Sequence, residues 1–248
     1  MGDIKISLIT VTFNAGSTIE RCIQSVISQT YKNVEYIIID GASADATLQI
    51  VNSYGNRIHR FVSEPDQGIY DAMNKGINFA TGDIVGMLNA DDYFSDTSVL
   101  AAIAGVFGDE AVQLAYGDLD YVNQLGNIFR KWRSGRYTAG KFNWGWMPPH
   151  PTFYCRTTLF GEYGGYSLNY GTAADYELML RFMHKYGLRA FYLKKVIIKM
   201  KTGGASNKNL SSRVKGFSND FRAMRRNGIR SPFVTVLLKR LRKIGQYI

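Results

Sequence analysis

Four short apolar runs, each broken by polar residues and followed by an apolar stripe at helical spacing, organise the first part of the chain. Residues 4–11 are β-branched and apolar, and Thr12-Phe13-Asn14-Ala15-Gly16 breaks the run. Ile19, Cys22, Ile23, Val26 and Ile27 then recur as one face of a helix, with Ser17 and Glu20 at the spacing of a capping box. Residues 34–39 form a second run that ends at Asp40-Gly41, and Asp45 and Thr47 open a helix carrying Leu48, Val51 and Tyr54. Residues 58–62 read as a third strand, Tyr70, Met73 and Ile77 mark a third helix, and residues 84–88 form a fourth strand. This alternation predicts an α/β fold with a parallel sheet and right-handed crossovers.

Polar residues gather where these strands end. Thr12 and Asn14 follow the first, Asp40 the second, Asp66 the third, and Asp91 and Asp92 the fourth. Each alone serves equally well as a cap or turn former. Four consecutive strands ending this way point to the carboxyl edge of an open sheet, where ligands bind. The set reads as a nucleotide pocket, with Asp40 accepting from a ribose hydroxyl or a base N–H. The adjacent acids Asp91 and Asp92 repel unless neutralised, and hard Mn²⁺ or Mg²⁺ on a diphosphate suits them. No G-x-G-x-x-G and no G-x-x-x-x-G-K-[ST] occurs, which argues against a dinucleotide cofactor and a P-loop NTPase.

Composition narrows the setting. The chain has 248 residues, 46% apolar and 20% charged, enough for one large domain or one with a small appendage. Its two cysteines, Cys22 and Cys155, have no metal-ligand spacing, and Cys22 falls on an apolar stripe. No signal peptide and no run long enough to span a membrane is visible, so a cytoplasmic location is expected. The net charge of +10 is unevenly placed: from residue 189 onward there are 16 Lys and Arg against one acid, Asp220, leaving 14 basic and 19 acidic residues before it. A basic tail on an acidic body suggests a polyanionic surface as partner.

Five segments carry a family resemblance. Ile6-Ser7-Leu8-Ile9-Thr10-Val11-Thr12-Phe13-Asn14, Ser25-Val26-Ile27-Ser28-Gln29-Thr30-Tyr31 and Glu35-Tyr36-Ile37-Ile38-Ile39-Asp40-Gly41 resemble the start of family 2 glycosyltransferases. Ser63-Glu64-Pro65-Asp66-Gln67-Gly68-Ile69-Tyr70-Asp71-Ala72-Met73-Asn74-Lys75-Gly76 is similar to the next segment, and Leu88-Asn89-Ala90-Asp91-Asp92 stands where the acidic metal motif lies. The resemblance covers roughly residues 4–200. It implies a GT-A fold, a nucleotide-diphosphate sugar donor and a divalent metal, with Thr12, Asn14, Asp40, Asp66, Asn74, Asn89 and Asp91 on the donor and Asp91 and Asp92 on the metal. Two departures stand out. Asp40-Gly41-Ala42-Ser43 replaces the frequent Asp-Asp-Gly-Ser, so the base contact of a second acid does not carry over. Asn89 replaces the leading acid of the metal motif.

Beyond Tyr93 the pattern loosens. Residues 111–116 read as a strand, and residues 121–132 as a strand or hairpin. In Phe142-Asn143-Trp144-Gly145-Trp146-Met147-Pro148-Pro149-His150-Pro151, Trp144 and Trp146 are candidate acceptor contacts or core aromatics. His150 either reaches the metal or diphosphate and acceptor, or is structural. Gly171-Thr172-Ala173-Ala174-Asp175-Tyr176-Glu177-Leu178 opens a helix, and Asp175 in its first turn is either a helix-terminal charge or a base. The resemblance implies that Asp175 is the general base of a single, inverting displacement, Ala174 standing where a neighbouring acid is often seen.

Residues 1–202 are therefore expected to form a GT-A catalytic domain, split at residue 93 into a nucleotide-sugar half and an acceptor half. Residues 203–248 form a basic helical extension. Gly203-Gly204-Ala205-Ser206-Asn207 reads as a loop that closes on the donor or merely links. Phe233, Val234, Val236, Leu237, Leu238, Leu241 and Ile244 alternate with Lys239, Arg240, Arg242 and Lys243 in an amphipathic pattern. It suits an anionic membrane surface, with a lipid-linked saccharide acceptor, or a helix packed on the domain with a basic outer face. The competing readings are a sugar-phosphate nucleotidyltransferase, which lacks its Lys/Arg loop after the first strand, a non-catalytic nucleotide-sugar-binding protein, and a nucleic-acid binder, disfavoured by the acidic pocket.

Overall fold

The computed structural model describes residues 3–201 and 210–247. Its centre is a mixed sheet of nine strands. Strands β1 (Ile6–Thr12), β2 (Val34–Asp40), β3 (Arg60–Ser63) and β4 (Ile84–Asn89) lie side by side in the order β3-β2-β1-β4, all parallel. Every residue of β1 is buried, which explains its unbroken apolar run, since a parallel sheet is covered on both faces. Alternate residues feed the two core layers: Ile9 and Val11 pack with Ile37, Val85 and Met87, whereas Ile6 and Leu8 pack with Ile38, Ile84 and Leu88.

The crossover helices are α1 (Ile19–Ile27), α2 (Thr47–Ser53) and α3 (Ile69–Phe79). The expected stripe on α1 is buried at Ile19, Cys22, Ile23 and Val26. The capping box from Ser17 and Glu20 does not form. The cap position is Thr18, whose hydroxyl donates to Ala15 O at 3.3 Å, and the loop before it is held from a neighbouring loop instead. Strand β3 starts later than its apolar pattern suggests, because residues 55–57 make a 3-10 turn closed by Ile58 N on Gly55 O.

The second half completes the sheet through distant pairings. Strands β5 (Asp92–Phe94), β6 (Leu114–Val122), β7 (Ile128–Trp132), β8 (Tyr154–Arg156) and β9 (Ala190–Lys201) extend the order as β4-β8-β6-β9-β5, with β7 on β6. The expected hairpin is β6 and β7, antiparallel across the turn at residues 123–127. The expected strand at residues 111–116 begins only at Leu114, since Val112 N closes a turn on Asp109 O. Gly86 faces Tyr154 across the β4–β8 pair, and a Cβ there would sit 2.0 Å from the Tyr154 ring, so only glycine admits this tyrosine to the core. Helices α4 (Val99–Phe107) and α5 (Thr158–Tyr163) flank the sheet. The helix expected from Gly171 starts instead as a 3-10 turn (Leu168–Ala173), becomes α6 (Ala174–Met179), and widens into a π-helical turn (Leu180–Lys185).

The basic tail forms α7 (Leu210–Arg226) and α8 (Pro232–Leu241), and it is packed into the same core as the rest. Ala223, Met224, Ile229 and Val236 are buried among Phe142, Trp146, Tyr176 and Phe182. Gly145, at φ +71, is the closest approach: a Cβ would lie 2.3 Å from Lys239 N. The outer face of α8 is largely apolar, exposing Phe233, Val234, Leu237 and Leu241, with Ile244 beyond its end. The glycine-rich loop at residues 203–207 lies outside the described residues. Among the described residues no helix is long and apolar enough to cross a membrane.

Candidate active site

The loops after β1 and β2 are laced together by backbone groups that the α1 turn leaves unpaired. Asn14 N donates to Ser43 Oγ at 2.7 Å, Ala15 N to Thr47 Oγ1 at 2.8 Å, and Gly16 N to Asp45 Oδ2 at 2.9 Å. Asn14 Oδ1 accepts from Ala44 N at 2.9 Å in return. Asn14 and Ala42 hold left-handed backbone (φ 48 and 61), a strain that the lacing must hold in place. Asp40 is fully buried and accepts from Ser43 N, Ser43 Oγ and Ser63 Oγ at 2.8, 2.5 and 2.7 Å. These three bonds use most of its acceptor capacity, so its direct work in this structure is to shape the loop. Asp66 caps the turn before α3 by accepting from Gly68 N at 2.7 Å, and its other oxygen presses on Gly41. Phe13 stands exposed beside Gly41.

Asp91 and Asp92 sit in the short link from β4 to β5. Asn89 Nδ2 donates to Asp92 Oδ2 at 3.1 Å. Asp92 is 1% exposed, and its Oδ1, Asn89 Oδ1 and Thr12 Oγ1 are buried without partners among the described residues. Burial and the neighbouring Asp91 charge push the Asp92 carboxyl well above the carboxylate range, against the pull of Asn89 and Arg21. Burial also raises Asp91, opposed by Arg21 and Lys201. A buried acid with an orphaned oxygen beside a second, half-buried acid is costly alone and fits a hard divalent cation. No cluster of three or more His, Cys, Asp or Glu groups suited to a metal exists among the described residues, so further ligands would come from Asn89, phosphate oxygens and water. Arg21, missed in the sequence, stacks its guanidinium 4.0 Å over Tyr93 and leaves Nη2 unpartnered beside these acids. Arg21 lies off the apolar stripe of α1, so the periodicity carried no signal for it.

Asp175 is half-buried in the first turn of α6, with Oδ1 accepting from Tyr176 N at 2.7 Å. Tyr70, at the start of α3 just past the Asp66 turn, reaches it from the donor half. Burial and the Asp175 charge hold the Tyr70 phenol well above its ordinary range. His150 is buried, with Nε2 2.7 Å from Tyr166 OH, and Tyr166 stacks on Tyr70 at 5.6 Å. Burial lowers the His150 pKa while Asp175 raises it, so the ring is held neutral toward an acid in its field. Asn74 is spent on structure: its amide donates to Tyr166 O and accepts from Tyr166 N, both at 2.8 Å.

The two tryptophans part company. Trp146 is 5% exposed, donates from Nε1 to Ser134 O at 2.7 Å and stacks on Tyr137, so it is a core residue rather than an acceptor contact. Trp144 is 66% exposed and open to a sugar face. Asp118, Asp120 and Arg133 form a further cluster the sequence reading did not single out, Arg133 Nη1 lying 2.7 Å from Asp120 Oδ1.

The sequence and the architecture have parallels among known proteins. The sequence profile of glycosyl transferase family 2 matches residues 7–164. A PGL/p-HBAD biosynthesis glycosyltransferase of Mycobacterium bovis (strain BCG / Pasteur 1173P2) is 33% identical over 246 residues, 96% of this chain and 91% of that protein. Chondroitin synthase of Pasteurella multocida (strain Pm70) is 30% identical over 56% of this chain, but that stretch is 14% of the synthase. Among solved structures, S. aureus TarS 1-349 in complex with UDP superposes with a TM-score of 0.68 at 18% identity, over 90% of this chain and 65% of that one. The mannosyltransferase PcManGT from Pyrobaculum calidifontis, in complex with GDP-Man and Mn²⁺, gives 0.66 at 17% identity, over 96% and 70%. The fold is thus of the GT-A type, and with the profile spanning more than half of its length, the chain belongs to glycosyl transferase family 2.

Proposed function

We propose that this glycosyltransferase is a metal-dependent, inverting enzyme that moves a sugar from a nucleotide-diphosphate donor to a saccharide hydroxyl. UDP is the first donor nucleotide to test, ahead of GDP and dTDP. The carrying observation is the buried Asp92 carboxylate, whose Oδ1 has no partner and whose charge nothing fully offsets. Asp91 and Asp92 would hold Mn²⁺ or Mg²⁺, which would supply positive charge to offset that of the departing diphosphate.

The chain's own residues account for the rest. The laced loops at Asn14 and Ser43 present backbone and Thr12 Oγ1 to the nucleoside, with Phe13 and Asp66 flanking it. Arg21 Nη2 is placed to bind a phosphate oxygen. Asp175 takes the proton of the acceptor hydroxyl as that oxygen attacks the anomeric carbon, and the nucleotide diphosphate leaves from the opposite face. Tyr70, kept protonated, and neutral His150 with Tyr166 hold Asp175 and line its approach. Trp144 offers a face for the acceptor sugar.

The acceptor in this reading is lipid-linked, in surface-polysaccharide synthesis (O-antigen, capsule or exopolysaccharide), and is met at the cytoplasmic face of the membrane; the membrane part of it is supported by the exposed face of α8. Its exposed apolar residues lie among basic ones, a combination suited to an anionic interface. The test is calorimetry with UDP, GDP and dTDP, with and without Mn²⁺, on wild type, Asp92→Ala and Asp175→Asn. Metal-dependent binding of one nucleotide, lost in Asp92→Ala, is expected. Asp175→Asn should keep that binding while turnover falls by about 10² or more. Binding of none of the nucleotides by the wild type overturns the reading.

A further inference from the structure

A second charged cavity lies away from the acidic edge, between the β6–β7 hairpin, the segment at residues 145–147 and the C-terminal end of α8. Its volume is about 450 Å³. Five cations line it: Lys131, Arg133, Lys239, Arg242 and Lys243, with no acid in the lining. Trp132, Trp146 and Tyr247 add aromatic wall, with Met147 and Gln246 beside them.

Three of these cations have partners. Arg133 faces Asp120 at 2.7 Å and, more distantly, Asp118 at 3.9 Å. Lys239 pairs with Asp220 at 2.8 Å, and Arg242 Nε donates to Trp144 O at 2.8 Å. Lys131 and Lys243 have no carboxylate within ion-pair distance among the described residues. Arg130, stacked 4.3 Å over Tyr121, adds a sixth positive charge close by. Burial, Lys239 and Arg130 all push the Lys243 ammonium downward, with Asp220 and Asp175 pulling the other way. Converging like charges destabilise a fold unless an anion joins them. Ammonium and guanidinium groups on several sides of one cavity suit the tetrahedral oxygens of a phosphate.

The cavity also has a direction. Lys239 Nζ sits 3.5 Å over the ring of Tyr176, the residue that follows Asp175. The Asp175 charge also acts on Lys243, so the cations and the base lie within electrostatic reach of each other. The donor diphosphate is provided for elsewhere, by Asp91, Asp92 and Arg21.

We propose that this cavity binds the phosphate or diphosphate group of an acceptor, next to the sugar whose hydroxyl meets Asp175. The inference rests on the transferase reading above and gives its acceptor a chemical class, a phosphate ester. An anionic lipid headgroup presents the same phosphate chemistry without being the acceptor, and the experiment below separates the two sources.

The probe is inorganic pyrophosphate, titrated calorimetrically into the full chain in EDTA, so that the acidic edge holds no metal. The variants are the double substitution Lys131→Gln with Lys243→Gln, and Asp92→Asn. Pyrophosphate should bind the wild type and Asp92→Asn alike, and about ten-fold or more weakly to the double variant, since two charge-assisted contacts are lost. Equal affinity in wild type and double variant, or no binding by the wild type, overturns the proposal. Sedimentation with phosphatidylglycerol vesicles separates the sources. Lost in the double variant, it assigns the phosphate to the headgroup; unchanged, with pyrophosphate binding lost, it assigns it to the acceptor. Metal-dependent UDP binding, measured with Mn²⁺ on EDTA-free portions of the same proteins, separates the two failures: if it persists while pyrophosphate fails, only this inference falls.

Discussion

Asn89 and Asp92 meet across the β4–β5 link, the Asn89 amide donating to Asp92 Oδ2 at 3.1 Å. The bond satisfies one carboxylate oxygen and leaves Asp92 Oδ1 and Asn89 Oδ1 buried and unpaired. Asparagine therefore supplies here, without charge, what a third acid would supply with it. Replacing Asn89→Asp removes the donor and adds a like charge. In EDTA the variant should lose about 1–3 kcal/mol of stability, the cost of leaving a buried polar group unsatisfied. Mn²⁺ should restore that loss and bind about ten-fold more tightly, as affinity follows ligand charge. Thermal melting with and without Mn²⁺ reads both effects, and a variant that behaves like wild type in both would remove Asn89 from the site.

Glu35 gives the chain an acid-sensitive clasp far from the site. It joins β2 to β1 and to the turn before β4 by accepting from Ser7 Oγ at 2.5 Å and from Thr81 N and Oγ1 at 2.8 and 2.7 Å. Partial burial pushes its carboxyl up, but these bonds and the charge of Lys5 outweigh it and hold the pKa at about 2. A depressed carboxyl stabilises the fold above its unfolded value, near 4.3, and that contribution fades as pH falls toward 2. Glu35→Gln should cost about 1–2 kcal/mol at pH 7 after allowance for solvent screening. The gap to wild type should close between about pH 4.3 and 2 in denaturation series, and a constant gap would contradict it.

Gly145 decides how the tail docks. A Cβ there meets Lys239 N at 2.3 Å and requires φ +71 of a residue that disfavours it. Gly145→Ala should destabilise by about 1–3 kcal/mol through overpacking and push α8 off the domain. Amide hydrogen exchange should then speed up across residues 232–241 while β1 and β4 keep their protection. Unchanged exchange in α8 would show that the contact does not hold the helix.

The local periodicities carried most of the first half. Strands buried on both faces must be apolar at every position, and a helix on such a sheet must bury one stripe; both constraints act over a few residues and survive in β1, β2, β4 and α1. The acids at the strand ends were legible for the same reason, since the edge of a parallel sheet is set by where each apolar run stops. What these local patterns did not show is which partner each side chain meets. Asp40 is taken by Ser43 and Ser63, Asn74 by the backbone of Tyr166, and Trp146 by Ser134 and Tyr137.

The sequence by itself determined the α/β order, the acidic edge at Asp91 and Asp92, and the uneven charge between body and tail. Tertiary structure decided which polar groups were left over. It consumed Asp40 and Asn74, left Asp92 Oδ1 and Arg21 Nη2 without partners, and wrapped α8 around Gly145. That last step gathered Lys131 and Lys243 into one cavity. Residues more than a hundred positions apart share no periodicity; only packing sets the distance between them, and distance decides whether charges cancel or wait for a ligand.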